Sequence, residues 1–417
     1  MNDSVPAGPT APPFRLSMLI YDRRYRSLTF QVIVFILVMS LFWWLVSNTI
    51  ENLSRLGKDI NFGFLFNRAG YDIPQQLIPY TSDDTHLRAA VVGLLNTLLV
   101  SVLGCVAATI LGVTVGVLRL SRNWLFARLM TIYVETFRNI PLLLWILIIY
   151  AILTEITPAP RAYQGEDARQ LFLGLIAPTN RYTAIPAFVA ERSPGMLHLG
   201  RIAIPWLAIL YFACLGAAIV IRNRINARAQ RIQNQTGKRP VTWWVNLALF
   251  VVPPVVIWLA FGLHLDVPEL AGFNFKGGIN VDNALVALWL ALTLYTAAFI
   301  AEITRAGILS VSKGQTEAAY SLGLRPNRTM NLVILPQALR VIIPPLISQY
   351  LNLTKNSSLA IAVGYMDLRG TLGGTTVNQT GREMEGILLM MLVYLAISLI
   401  ISGGMNLYNR RVALKER

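Results

Sequence analysis

Negative charge is what this chain has least of. Only 21 aspartates and glutamates stand against 36 lysines and arginines in 417 residues, and charged side chains of both signs make up 14% of the total. Soluble domains carry about 25% charged residues. With 55% hydrophobic residues and a mean hydropathy of +0.54, this chain cannot present a water-facing surface over its whole length. Cysteine is nearly absent as well. Cys105 and Cys214 each lie inside an apolar run, which excludes a disulfide framework and any cysteine-based metal spacing. His86, His198 and His264 form no catalytic or metal-ligating pattern with one another or with the cysteines. No G-x-x-x-x-G-K-[ST] sequence occurs, so the chain has no phosphate-cradling loop of its own for ATP. Nothing here suggests an enzyme or a bound cofactor or metal. Energy for uphill work has to come from a partner or an ion gradient.

What is present is apolar length. Crossing a hydrocarbon core of roughly 30 Å takes about 20 helical residues, and runs of that order cover 28–48, 89–118, 130–153, 203–221, 243–263, 284–304, 332–354 and 386–407. The expectation is an all-α polytopic membrane protein with about eight transmembrane helices. Arg23, Arg24 and Arg26 precede a first run too long for a signal-peptide core and without a clear small-residue cleavage site, so it reads as a retained span. The Pro- and Ala-rich stretch Met1–Phe14 ahead of it is expected to be disordered.

A net charge of +15 could suit nucleic acid if it were gathered on one soluble face. It flanks the spans instead. Segments 1–27, 119–128, 222–240, 305–330 and 408–417 hold 21 lysines and arginines in 92 residues, whereas 51–88, 154–202, 264–282 and 355–385 hold 13 in 137. Basic residues stay on the cytoplasmic side, which places both termini there and argues against a nucleic-acid partner. The stretch Arg222–Arg239 reads as a solvated segment on the membrane surface, a loop or frayed helix, attracted to anionic lipid.

Three local patterns bear on packing and transport. Gly104, Ala108, Gly112 and Gly116 recur every four residues and let another helix approach one face of the second span. The apolar stretch Leu332–Met366 is too long for one crossing and is interrupted by Asn352-Leu353-Thr354-Lys355-Asn356-Ser357-Ser358. Two readings stay open. Either the helix breaks and Ser357 and Ser358 cap a second half-helix whose amides attract an anion, or the cluster marks the outer membrane boundary. Glu135, Arg138 and Glu302 fall one to three turns above the cytoplasmic face. They are expected to pair, because an unpaired charge at that depth is expensive, and a structural or gating role is favoured over substrate contact. Tyr295, Ala298 and Glu302 share one helix face, and with Lys355, Asn356, Ser357 and Ser358 they are the candidate substrate path.

The most specific stretch is Thr316-Glu317-Ala318-Ala319-Tyr320-Ser321-Leu322-Gly323-Leu324-Arg325-Pro326. Ser312 and Gln315 have capping-box spacing, Gly323 suits a left-handed position past a helix end, and Pro326 stops continuation. A short surface helix follows, its two alanines offering an approachable backbone. Glu317, Ala318, Ala319 and Gly323 resemble the EAA coupling loop of ABC-importer permeases, with Leu322 beside them. Taken with Glu135–Pro141, Tyr295–Arg305, Leu335-Pro336-Gln337-Ala338, Pro344-Pro345 and Lys355–Leu359, the chain is similar to the polar-amino-acid permeases of the histidine/glutamate/glutamine/arginine/opine group.

The resemblance implies a MetI-like five-helix core in two parts, 89–153 and 284–407, with the coupling loop at 312–326. Around it stand a tail (1–27), an extra span (28–50), a periplasmic segment (51–88), an insertion of two spans (154–283) and a second tail (408–417). It implies an inner-membrane permease subunit importing L-amino acids with an ABC ATPase dimer that binds ATP and Mg, a homologous permease subunit forming a heterodimer, and a periplasmic amino-acid-binding protein. An ion-gradient-driven secondary transporter is the alternative, since it too would use intramembrane charges, but it needs no docking helix. A membrane scaffold without transport would leave Glu135, Arg138 and Glu302 as structural pairs.

Overall fold

In a computed structural model of the protein, the described residues are 18–55, 57, 59–164, 171–199 and 202–412. The stretch Met1–Phe14 and most of the C-terminal tail lie outside them or at their edge. Two compact units are present, Met1–Phe62 and Gly63–Arg417. The first is built on one long helix, α1 (Arg23–Arg55), preceded by a single helical turn at Met18–Tyr21, and the apolar side chains of α1, Phe42, Trp43 and Trp44 among them, are exposed. The hydrocarbon of a membrane satisfies such a surface.

The second unit contains α2 (His86–Leu118), α3 (Trp124–Asn139), α4 (Leu142–Ala151), α5 (Trp206–Thr236), α6 (Trp243–Phe261), α7 (Asn283–Leu309), α8 (Lys313–Ser321), α9 (Leu335–Asn356) and α10 (Glu383–Val412). Among the described residues seven helices are long and apolar enough to cross a membrane, and the bent pair α3–α4 brings the number to eight. The expected eight spans therefore hold, with one change. The run 130–153 is not a single rod, because α3 and the segment begun by α4 meet at 105°. Pro141 causes the break: it pushes Ile140 into extended backbone (φ −105°, ψ 133°), since the residue before proline clashes with its ring in the helical region.

The insertion also departs from a purely helical reading. Its outer segments pair as short antiparallel ladders: β1 (Ala177–Pro178), β2 (Tyr182–Ile185) and β9 (Ile279–Asp282) form a sheet in the order β1-β2-β9. Two-stranded ladders join β3 (Ala187–Ala190) to β6 (Leu263–Asp266), β4 (Met196–Leu199) to β5 (Ile202–Pro205), and β7 (Glu269–Ala271) to β8 (Asn274–Lys276). Strands of two to four residues carry too little alternation to stand out from loop. The three-stranded sheet fixes the start of α7. Asp282 Oδ1 accepts from the Ala284 amide at 2.9 Å, and Asn283 donates to Thr179 O at 2.7 Å while accepting from Thr183 at 3.0 Å. The basic stretch after Ile221 is no loose loop: α5 runs through it to Thr236.

The core lies where α2 and α7 cross. Val100, Ala108, Leu288, Leu292 and Ile300 are fully buried there. A side chain built on Gly112 would stand 2.6 Å from Ile300 Cβ and 2.8 Å from Ala297 O, and one on Gly116 would stand 2.6 Å from Ala301 O. Gly104, higher on the same face, meets Leu353 of α9 at 3.2 Å. The small-residue stripe thus seats two different helices. Gly112→Val and Gly116→Val are expected to force α2 off α7 and cost about 1–3 kcal/mol by overpacking. Gly403→Ala, where an added carbon meets nothing within 4 Å, is the control. Thermal unfolding in detergent checks this, and equal melting temperatures for the three variants would contradict it.

Candidate functional site

Glu302 lies on the last third of α7, with its side chain 26% exposed. Arg119, the residue that closes α2, donates to Glu302 Oε2, and its own side chain is only 9% exposed. Arg305, one turn along α7, donates to Oε1 through Nη2 at 2.7 Å and Nε at 3.3 Å. Arg138, at the end of α3, stands 3.9 Å from Oε2 and lies over the Phe299 ring at 5.4 Å. Three guanidiniums from three helices therefore surround one carboxylate, and the group keeps a positive excess. Part of it is exposed, so screening limits the energy of each pair. Its consequence is geometric: α2, α3 and α7 are tied together about two turns before α7 hands over to α8.

Of the expected trio Glu135, Arg138 and Glu302, Arg138 and Glu302 do pair, at 3.9 Å, and Glu135 does not join them. Glu135 is exposed, and among the described residues it makes no ion pair. Val134 is the residue of α3 turned fully into the packing against Ala298 and Ala301. Arg138, one turn on, shares that side, whereas Glu135 is rotated by about 100° away from it. Arg119 escaped notice because it sits just past a span, where a basic residue ordinarily serves only the membrane surface.

At α8, Ser312 occupies the capping position in extended backbone but makes no side-chain hydrogen bond to the helix. The expected capping box does not form. Gln315 is drawn instead to α9, accepting from Gln337 Nε2 at 3.4 Å. The far end closes as expected, with Gly323 at φ +76°, its amide donating to Tyr320 O at 2.9 Å, and Leu324 donating to Ala319 O at 3.1 Å. Glu317, Ala318, Tyr320 and Leu322 face outward, Leu322 with 82% of its surface free. Ala319 is turned inward at 3%. Of the two alanines only Ala318 presents a bare backbone.

The opposite end of α9 differs from the half-helix reading. The helix continues through Asn352–Asn356 and passes into a 3-10 stretch, Ser357–Val363. Ser357 Oγ donates to Thr354 O and Ser358 Oγ to Lys355 O, both at 2.8 Å. They close the helix behind them, so they are not free to cap a new one. Lys355 is exposed and Asn356 half-buried, while Ser357 is fully buried. Ala298 is also fully buried, packed against Val115 and Val134, and Tyr295 leans on Phe299. Gly104 is level with Leu353 and Gly116 with Ala301, so the rise of α2 separates Glu302 from Lys355 by about 18 Å. The candidate path residues occupy two levels and not one pocket. A groove of about 720 Å³ between α2, α9 and α10, lined by Leu98, Cys105, Tyr350 and Ile397, contains none of them.

A buried polar network at the start of α2 was missed. Asn96 donates to Gln75 O at 2.8 Å and to Met366 O at 2.9 Å, and Thr97 accepts from the Leu368 amide at 3.0 Å. Asp367, fully buried, accepts from the Gly370 amide at 2.8 Å and from Tyr394 at 3.3 Å. Burial lifts its carboxyl to about 7, against the pull of those two donors. Single polar residues scattered over 270 positions give no pattern by spacing; the one available signal was an aspartate standing as the sole acidic residue between Glu317 and Glu383.

Residues 227–414 match the family described as the binding-protein-dependent transport system inner membrane component. The glutamate/glutamine/aspartate/asparagine transport system permease protein BztB of Rhodobacter capsulatus is 57% identical over 98% of this chain and 99% of its own length. The chain belongs to the family of amino-acid ABC-importer permeases. The general L-amino acid transport system permease protein AapQ of Rhizobium johnstonii is 44% identical over 100% of this chain and 98% of its own. A crystal structure of an amino acid ABC transporter with histidines superposes at a TM-score of 0.44, with 18% identity over 78% of this chain and 95% of that one. Membership separates the transport classes: members are components of ABC importers, so an ion-gradient-driven carrier is set aside.

Two outcomes test the site. Arg119→Gln should couple to Glu302→Gln by at least about 1 kcal/mol in a double-mutant cycle on thermal stability, and Arg138→Gln by less than about 0.5 kcal/mol; the reverse order would contradict the geometry. Asp367 binds its proton more tightly folded than unfolded, so its contribution is full below the ordinary carboxylate range and is lost as pH rises towards 7. Melting temperatures at pH 5 and pH 8 should therefore shift in favour of Asp367→Asn over the unaltered protein at the higher pH. A pH-independent difference between them would be wrong for a buried, proton-binding carboxyl.

Proposed function

We propose that this chain forms half of the translocation path of an ATP-driven importer for polar L-amino acids, sited in a bacterial inner membrane with both termini cytoplasmic. The observation that carries this is α8: a short helix exposing Glu317, Ala318, Tyr320 and Leu322, ended by Gly323 and followed by α9. An ATPase dimer holding ATP and Mg docks on it. A homologous permease subunit completes the path, and a periplasmic amino-acid-binding protein delivers substrate to the strand-bearing side. The 57% identical relative is named for glutamate, glutamine, aspartate and asparagine, which supports small polar amino acids as the substrate class. Force on α8 passes through Ser310–Ser312 into α7, and Glu302 shares it with α2 and α3. The ion cluster is thus the first internal joint that nucleotide-driven movement reaches.

Gly323→Asp tests the docking role. A side chain there meets no atom of this chain within 4 Å, so packing inside the chain is spared. The left-handed backbone would cost about 1–2 kcal/mol, and a charge would enter the docked surface. The variant should still reach the membrane but should lose co-purifying ATPase or substrate-stimulated ATP hydrolysis. Unchanged assembly together with unchanged ATP-driven uptake would remove α8 as the coupling element.

A further inference from the structure

From Arg192 to Leu265 the chain contains no aspartate or glutamate, yet Arg222, Arg224, Arg228, Arg231, Lys238 and Arg239 fall inside that window. All six are exposed, and among the described residues no carboxylate stands within ion-pair distance of any of them. The helix that carries the first four is longer than a crossing needs. The 31 residues of α5 span about 46 Å, and the uncharged part up to Ile221 spans about 24 Å. The rest continues, still helical, out of the hydrocarbon. Arg224, Arg228 and Arg231 are spaced by four and three residues and so share one face.

The neighbouring helix gives the level at which this face emerges. Asn246 of α6 donates to Asn226 of α5 at 3.3 Å, which sets those two positions side by side in the antiparallel hairpin. Trp243 and Trp244, 69% and 58% exposed, lie about one turn further out and therefore level with Arg228. Exposed tryptophans gather at the headgroup level of a membrane. Arg222, just inside, covers the Phe250 ring at 6.0 Å. Below the tryptophans the hairpin is apolar and open: Leu247, Val251, Val255, Phe212 and Val220 are all exposed. Because α5 leaves from β5 and α7 leaves from β9, the basic face comes out on the same side as α8.

We infer that the α5–α6 hairpin is a binding site for anionic phospholipid headgroups. Arg224, Arg228 and Arg231 hold the phosphodiester oxygens, for which planar guanidinium donors are well matched. Trp243 and Trp244 lie among the ester groups, and the apolar flanks below follow the acyl chains. An acidic protein surface would satisfy the arginines alone; the tryptophans and the continuous apolar wall beneath them fit a lipid. The inference uses the proposed function only to name the leaflet as cytoplasmic.

The test uses the full chain in its complex, reconstituted in nanodiscs of phosphatidylethanolamine with a minority of phosphatidylglycerol. Lipid retained after re-extraction is counted by mass spectrometry. Phosphatidylglycerol should be enriched over the bulk mixture around the unaltered chain. The triple variant R224Q/R228Q/R231Q should lose that enrichment by at least about tenfold at low salt, a cautious figure for three charges each worth about fivefold at a membrane surface. R224K/R228K/R231K, which keeps the charges, should retain part of it, and inorganic phosphate should not displace the lipid. Equal enrichment in the Gln variant would overturn the inference. So would loss of a soluble subunit from that variant with its lipid unchanged, because the face would then belong to a protein. Lipid counts do not depend on uptake, so failure here is distinguishable from failure of the transport reading.

Discussion

The close approach of α2 and α7 is the contact on which the rest of this molecule depends. In lipid, helices gain little from leaving the solvent, since acyl chains are as apolar as leucine; association rests on packing and on hydrogen bonds. Gly112 and Gly116 let α2 settle onto the backbone of Ala297 and Ala301, and both ends of the pair are then used. At one end Arg119 reaches Glu302. At the other Asn96 and Thr97 hold Met366 and Leu368. Lifting the helices apart would unfasten both.

Two acidic groups illustrate how position decides what charge can do. Glu302 is partly open to solvent and is met by arginines from three helices, which suits a joint that must hold and still yield. Asp367 is fully enclosed, receives hydrogen bonds from an amide and a phenol, and is held close to the protonated form by burial. The first ties helices together near α8. The second fastens the irregular chain that follows α9 onto α10 through Tyr394, while the neighbouring Leu368 amide fastens it onto α2 through Thr97.

Much of the architecture could be read from the residues. Apolar length located the crossings, because a hydrocarbon slab sets a minimum that chance rarely meets. The four-residue spacing of Gly104, Ala108, Gly112 and Gly116 showed a seam, and Gly323 showed the end of α8, since each depends on a steric rule local to a few residues. What depends on distant parts of the chain did not show. Arg119 meets Glu302 across 183 positions, and no spacing rule favours it over Arg138. Ser357 and Ser358 had the composition of caps, but the carbonyls of Thr354 and Lys355 claimed them first. Gln315 had the spacing of a capping box, but Gln337 competed for it. Strands β2 and β3 needed partners about 75 to 100 residues away, as in the pairing of Thr183 with Val281.

On the proposed function, this chain moves amino acids only when ATP is hydrolysed by a partner docked on α8. The most direct measurement is uptake of radiolabelled glutamate and glutamine into proteoliposomes holding the intact complex and its binding protein, with ATP supplied on the ATPase side and ion gradients collapsed by ionophores. Uptake that needs ATP and persists without gradients is the predicted result. Uptake that proceeds without ATP and stops when the gradients are collapsed would contradict the account.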